Sequence, residues 1–241
     1  MQRIAIAPSQ FQNEQITLTS QQQHYLFRVL RLQKGDKFIA MDGMGKWWLS
    51  QLNECNAEIL QQLTVETELP IAVTLIVALP KGNAFDEIVR CCTELGVTCI
   101  APVISDRTLL KPSSQKLERW RRISLEAAEQ SERTKIPQIL EPVTFNQIFS
   151  SFINFEKYIC VARGNSPHLL ECLNNQGDIK NSSPEKKSVV IATGTEGGWT
   201  KKEAEIALQN GFKQVSLGRR ILRAFTAPIV VMSLISAVCE V

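Results

Sequence analysis

Ser188-Val-Val-Ile-Ala-Thr-Gly-Thr-Glu-Gly-Gly-Trp-Thr-Lys-Lys-Glu203 carries three signals in one short run. Ser188–Thr193 is a continuous apolar stretch of strand length, the pattern of a strand buried on both faces. Gly194, Gly197 and Gly198 then open a loop in which backbone N–H groups can approach a ligand closely. Thr200-x-x-Glu203 is a capping box, so a helix starts there. Buried strand, glycine loop and helix N-terminus in succession make up the unit of a parallel α/β sheet, whose ligands collect at the carboxyl ends of the strands. The loop lacks the G-x-G-x-x-G spacing of dinucleotide folds, and a plain glycine turn explains it equally well.

The same alternation extends in both directions. Val73–Leu79, Thr98–Ile104, Tyr158–Ala162 and Val215–Leu217 predict further strands. Phe85, Ile88, Val89, Cys92 and Leu95 recur on one helical face, and Gly96 is placed to end that helix. Ser113–Ser131 predicts a long helix with Leu117, Trp120, Ile123 and Ala127 inward, and Ala224–Val238 a last one that is apolar around most of its circumference. Residues 174–187, polar and broken by Gly177 and Pro184, predict a mobile surface loop. Residues 1–70 read differently. Short pieces at Gln15–Leu18, Lys37–Met41 and Trp47–Leu52 alternate with turn signals, the pattern of a small β-rich barrel. Ser20–Leu32 is expected to interrupt them as a helix with Tyr25, Val29 and Leu32 on its inner face and Arg28 and Arg31 elsewhere. The division is placed at 1–70 and 71–241, with Pro70 in the linker.

Composition bounds the possibilities. Of 241 residues, 44% are hydrophobic and 21% charged, ordinary values for a folded chain. No apolar run approaches the roughly 20 residues of a membrane span, and Met1–Gln10 has no secretory pattern, so a cytoplasmic location is expected. Seven cysteines, two of them adjacent, with no C-x-x-C and two histidines, argue for free thiols and against a metal site. The net charge of +3 is unevenly spread. Lys111, Lys116, Arg119, Arg121 and Arg122 cluster around Glu118, and Lys213, Arg219, Arg220 and Arg223 stand together without an acid. Such clusters serve an anionic partner or simply face water.

Charged residues at element ends are the raw material of a site. Lys81 and Gly82 follow the first long strand, Arg107 the next, Glu94 ends a helix, and Glu129, Gln130 and Arg133 close the long helix. Leu217-Gly218-Arg219-Arg220-Ile221-Leu222-Arg223 leads into the last helix.

Five short motifs occur together and in order: His24 with Val29-Leu-Arg-Leu-x2-Gly35-Asp36; Thr93-Glu94-Leu95-Gly96-Val97; Glu126-Ala-x-Glu129-Gln130-Ser131-x-Arg133-x3-Pro137; Gly194-x-Glu196-Gly197-Gly198; and Leu217-Gly218-x-Arg220-Ile221-Leu222-Arg223. With them the chain resembles the small-subunit ribosomal RNA uridine-N3 methyltransferases of the SPOUT superfamily. The resemblance implies a PUA-like β-barrel that holds RNA, followed by an α/β domain tied in a trefoil knot. It also implies S-adenosylmethionine as cofactor, a homodimer, and ribosomal RNA or the assembled small subunit as partner, with no membrane or metal. Three positions depart from the family pattern. Thr195 stands for a proline, Phe225 for a glutamate and Cys91 for a lysine.

On that basis the cofactor is expected against Gly194, Glu196, Gly197, Gly198, Leu217, Gly218, Ile221, Leu222 and Arg223, with Leu79, Ala162, Thr193 and Thr226 beside them. Methylation of uridine N3 requires loss of the N3 proton and stabilisation of charge on O2 and O4. Glu94 is the candidate proton acceptor or orienter, and Arg133 and Arg223 the candidate donors. RNA is expected on Arg28, Arg31, Lys81, Arg107 and Gln130. Two other functions remain open on the residues: a non-catalytic RNA-binding or ribosome-assembly protein on the same fold, prompted by Phe225, and a nucleotide-cofactor oxidoreductase, against which the missing G-x-G-x-x-G counts.

Overall fold

The computed structural model describes residues 1–109, 112–152, 155–174 and 188–240. Lys111 and the surface loop expected at 174–187 fall outside these, apart from Asn174, which closes a helix. The described chain forms two compact units, Met1–Glu68 with Ala128–Ile136, and Leu69–Ala127 with Pro137–Val241.

The first unit is a six-stranded sheet. Its strands are β1 (Arg3–Ala5), β2 (Phe11–Gln12), β3 (Gln15–Thr17), β4 (Lys37–Met41), β5 (Trp47–Asn53) and β6 (Asn56–Leu63), in the order β1-β4-β5-β6-β3-β2. β1 runs parallel to β4, and the other pairs are antiparallel. The expected closed barrel is corrected to an open half-barrel: among the described residues no ladder joins β1 to β2. Ile4, Ile16, Leu26, Phe38, Leu52 and Ala57 fill its core.

The segment Ser20–Leu32 also departs from expectation. Only α1 (Ser20–Gln23) is α-helical, capped by Thr19 and Gln22, and His24–Val29 continues as a π-helix. The wider i→i+5 turn rotates the buried face. Leu26 is therefore the buried residue, while Tyr25 and Val29, expected inward, are exposed. Arg28 and Arg31 are exposed as read.

The expected division at 70/71 did not include a return of the chain. Residues 128–136 come back to this unit through a set of polar contacts. Ala5 N–H donates to Glu129 Oε1 at 2.6 Å, Arg3 pairs with Glu132 at 2.5 Å, and Ile136 N–H donates to Gly43 O at 2.9 Å.

The second unit is built on an all-parallel sheet of β7 (Ala72–Ala78), β8 (Cys99–Ile104), β9 (Gln138–Ile139), β10 (Val143–Thr144), β11 (Glu156–Cys160), β12 (Ser188–Thr193) and β13 (Lys213–Val215). The order is β10-β8-β7-β12-β11-β13, with β9 also on β8. The helices are α2 (Ala84–Glu94), α3 (Ser114–Gln130), α4 (Leu169–Asn174), α5 (Lys201–Gln209) and α6 (Thr226–Glu240).

Alternate residues of β7 enter opposite cores. Val73, Leu75 and Val77 pack with α2, α3, α4 and α6, while Ile76 and Ala78 pack with Phe145, Phe149, Ala207 and Phe212. Covering both faces in this way is what a continuous apolar strand requires. The inward face read for α2 is the buried one, and Gly96, at φ 91°, ends that helix with Leu69 packed so close that a Cβ would lie 2.8 Å from its Cγ. Among the described residues no helix is long and apolar enough to cross a membrane, and no group of three or more His, Cys, Asp or Glu could hold a metal.

Candidate functional site

Because every ladder of the second sheet is parallel, the carboxyl ends of β8, β7, β12, β11 and β13 line up along one edge in that order. Five loops leave this edge, and hydrogen bonds tie them into two groups. From β7, Lys81 N–H donates to Glu196 Oε1 at 3.1 Å. From β8, the Arg107 guanidinium donates to the Gly197 carbonyl, and Asp106 N–H donates to Glu203 Oε1 at 2.9 Å. Glu203 is buried, and its other oxygen accepts Thr200 N–H at 2.8 Å, the capping box read in the sequence. From β13, Ser216 N–H donates to Pro167 O at 2.8 Å and Ser216 O accepts Leu169 N–H at 3.0 Å, which joins it to the loop after β11.

Beside these loops lies a cavity of about 620 Å³, lined among others by Ala162, Arg163, Asn165, His168, Glu171 and Gly218. That volume suits a small-molecule site, for which roughly 300–1,000 Å³ is usual. At the adjacent end of β12, Thr193 is fully buried and its Oγ1 has no hydrogen-bond partner among the described residues. An unsatisfied buried hydroxyl costs about 1–3 kcal/mol, which a ligand atom bonded there would relieve. Cys160, at the end of β11, is not a nucleophile here, because burial pushes its thiol up to about 12.

The residues expected at the cofactor site sort as follows. Ala162 and Gly218 line the cavity. Thr193, Gly194, Glu196, Gly197 and Gly198 form the end of β12 and its loop, and Leu79 is buried at the end of β7. Leu217, Ile221, Leu222, Arg223 and Thr226 belong to the segment from β13 into α6, where Ile221 is 64% exposed and Thr226 N–H donates to Arg223 O. Thr195, in place of a proline, sets its hydroxyl 3.4 Å from Gly198 O across the turn that Gly198 N–H closes on Thr195 O. Phe225, in place of a glutamate, is half-buried against the core that α2 and α6 share.

The expected catalytic residues do not all meet. Arg223 is exposed at the ligand edge. Glu94 is not at that edge. It ends α2, which returns antiparallel from the end of β7 to the start of β8, so it sits at the opposite edge of the sheet. The seven residues of β7 separate the two edges by roughly 20 Å. Arg133 is in the first unit, 3% exposed, with Nη2 2.5 Å from Glu68 Oε2. Its guanidinium is committed to Glu68 within the first unit, which favours bracing over the role of substrate donor. Of the residues expected to touch RNA, Arg28 and Arg31 are exposed in the first unit, and Lys81 is exposed at the ligand edge. Gln130 is exposed at the end of α3. Arg107 is exposed too, but its side chain lies on the glycine loop.

The basic clusters also separate. Along α3, Arg119 pairs with Asp86, Arg121 with Glu118 and Glu141, and Arg122 with Glu126. Lys213 pairs with Glu156. Arg219, Arg220 and Arg223 have no ion pair among the described residues. Of the two basic clusters, the arginines left to meet an anion are thus those that follow β13, a contrast invisible in a count of charges. His168, Asn165 and Glu171 were missed, because nothing local marks them, and so was the second role of Glu203, whose partner Asp106 lies far away in sequence.

Comparison with known proteins gives this edge a context. Residues 67–236 match the RNA methyltransferase domain, and residues 18–60 match the RNA methyltransferase PUA domain. The Ribosomal RNA small subunit methyltransferase E of Synechocystis sp. is 49% identical over 99% of this chain and 78% of its own length. That of Bacillus subtilis is 31% identical over 98% and 96%. Among solved structures, the Ribosomal RNA small subunit methyltransferase E of Neisseria gonorrhoeae bound to S-adenosyl methionine superposes with a TM-score of 0.82 at 30% identity, over 97% of this chain and 95% of that one. With both domains matched and the likeness running nearly end to end, this chain belongs to the family of small-subunit ribosomal RNA methyltransferases E.

Proposed function

We propose that the chain transfers a methyl group from S-adenosylmethionine to N3 of a uridine in small-subunit ribosomal RNA. The observation that carries the reading is the single sheet edge at which the glycine loop, the cavity and the unpaired arginines meet, in a chain whose relatives are named ribosomal RNA small subunit methyltransferases. The residues present fit the cofactor: glycines at 194, 197 and 198 let backbone come close, the Thr193 hydroxyl is unspent, and the cavity is of the right size. When bound, S-adenosylmethionine supplies an electrophilic methyl on its sulfonium. Leu79, Ala162, the Thr193–Gly198 loop and the Leu217–Thr226 segment would hold it. Arg223 would stabilise the negative charge that spreads over the uracil oxygens as the N3 proton leaves. The base must be turned out of any stack, because its pairing edge is the one modified.

The finer architecture follows the same reading. A trefoil knot is supported by the course of the chain after β13. β13 lies outside β11, yet Val231, Met232 and Ile235 of α6 pack in one core with Ile88 and Val89 of α2. The intervening segment must therefore recross the sheet edge, where residues 167–169 grip Ser216. A homodimer is supported by Ile229, Val230, Leu234 and Val238, which α6 leaves only half-buried in one protomer. Light scattering is expected to give a mass near twice 27.0 kDa; a mass near 27.0 kDa at micromolar concentration would overturn the dimer. RNA would be gripped by the first unit, at Arg28 and Arg31, with Lys81 and Gln130 adding contacts. Changing Arg28 and Arg31 to alanine should weaken RNA binding, reduce the slope of log affinity against log salt by roughly 2, and leave cofactor affinity unchanged. A ribosomal RNA substrate, as named for the bacterial relatives, supports a cytoplasmic location.

Mass spectrometry of small-subunit RNA from cells with and without the gene tests the activity. A methyluridine lost on deletion and restored by the wild-type gene is the expected result. Unchanged methylation, with RNA binding intact, would favour the non-catalytic RNA-binding alternative.

A further inference from the structure

We infer that Arg107 is a positioning residue, which holds the glycine loop after β12 in the form that receives the cofactor, and that Gly197 is side-chain-free to make room for it. The inference rests on the reading of that loop as the cofactor site and reassigns an arginine expected to bind RNA.

Arg107 leaves the carboxyl end of β8, and β7 separates that strand from β12 in the sheet. Its guanidinium reaches across to donate to the Gly197 carbonyl. A loop carbonyl that accepts a charged donor is fixed in direction, and so are the N–H groups on either side of it. The Arg107 side chain passes close over the loop: a Cβ at Gly197 would come 3.0 Å from Arg107 Cδ, which lies short of the free end of the side chain. Gly197 has no positive φ, so backbone conformation does not demand glycine there. The close neighbour is Arg107.

The base of Arg107 is itself anchored. Asp106 N–H donates to Glu203 Oε1 at 2.9 Å, and Glu203, 3% exposed, also caps the helix that follows the loop. From the end of β7, Lys81 N–H holds the Glu196 carboxylate at 3.1 Å. The loop is thus pinned from the ends of β7 and β8, and Arg107 is the pin whose side chain reaches in from outside the loop. Preorganising a loop lowers the ordering cost of binding, so losing this pin should appear first in cofactor affinity.

The test is calorimetric titration of S-adenosylmethionine into the full-length protein and its Arg107→Ala, Arg107→Lys, Gly197→Ala and Arg107→Ala/Gly197→Ala variants. Arg107→Ala should weaken binding about tenfold, the size of one charge-assisted hydrogen bond, and Arg107→Lys should recover part of the loss. Gly197→Ala should weaken binding by a similar factor, and the double variant should be no weaker than Arg107→Ala alone, because the three atoms nearest the added methyl are then gone. Amide exchange at residues 194–199 should rise in cofactor-free Arg107→Ala. Affinity for small-subunit ribosomal RNA and its salt slope should not change.

Equal cofactor affinity in Arg107→Ala and wild type would overturn the inference and leave the site reading standing. So would a loss of RNA affinity with a shallower salt slope, which makes Arg107 a phosphate contact. A further loss from Gly197→Ala in the Arg107→Ala background would overturn the explanation of Gly197. Failure of the wild-type protein to bind S-adenosylmethionine would overturn the site reading itself.

Discussion

Gly194→Val should weaken S-adenosylmethionine binding by up to about 100-fold while the protein still folds, and Gly194→Ala should fall between it and wild type. Gly194 starts the loop after β12, and a Cβ there would lie 3.1 Å from both the carbonyl carbon and the Cα of Gly198 and 3.3 Å from Trp199 N. These neighbours are backbone atoms of a closed turn, Gly198 N–H on Thr195 O at 2.8 Å, and cannot swing aside as a side-chain end can. Alanine asks them to give by a few tenths of an ångström. Valine adds two more methyls and forces the turn open, at a cost of about 1–3 kcal/mol for overpacking. Near the upper end this is a factor of about 100 in affinity, because the displaced groups are the ones the cofactor would contact. Calorimetric titration beside thermal unfolding separates the two effects. Wild-type affinity in a folded Gly194→Val variant would remove this loop from the cofactor site.

The loop was legible because its signals are local. Strand length, glycine spacing and the Thr200–Glu203 box all lie within a few residues of each other, and β12 and its helix occur where the sequence puts them. The buried face of α2 was legible for the same reason. What failed required knowledge of distant partners. β6, the longest strand of the first sheet, has an exposed run at Leu60–Gln62 that breaks its apolar alternation after Ile59, so its pairing with β5 and β3 is what marks it. The π-helical turn at His24–Val29 changes which residue faces inward without any change in composition.

Glu94 is a different case, because its place in the sheet could be read from the sequence. A helix between two adjacent parallel strands must run back to the edge from which they start, so a residue at its end lies far from the ligand edge. The motif drew attention to Glu94, and the topology of the unit that contains it was not followed through. Arg107 shows the converse: exposed and cationic after a strand, it reads as a contact for an anion, and only the path of the side chain reveals that it is committed to Gly197.

The Glu68–Arg133 pair carries the other large expectation, Glu68→Ala costing about 3 kcal/mol of stability. The Glu68 carboxylate accepts Arg133 Nη2 at 2.5 Å, Thr134 Oγ1 at 3.3 Å and Lys135 N–H at 3.0 Å, and so gathers three consecutive residues of the returning segment. Arg133 is 3% exposed and Glu68 19%. Removing the acid leaves the guanidinium buried without its principal counter-charge, the situation in which breaking a buried pair costs about 3–5 kcal/mol, and the partial exposure of Glu68 favours the lower end. For a chain of this size the melting temperature should fall by roughly 6–12 °C, with the first unit unfolding earlier. Replacing both partners by apolar residues, Glu68→Leu with Arg133→Met, removes the stranded charge and should recover most of the loss, because a well-packed apolar pair can equal a buried ion pair. That double variant also decides between bracing and catalysis. If Arg133 serves only to hold residues 128–136 against the first unit, a stable Glu68→Leu/Arg133→Met protein should retain methyl transfer within a few-fold of wild type. A double variant that melts like wild type yet transfers no methyl group would return Arg133 to the reacting site.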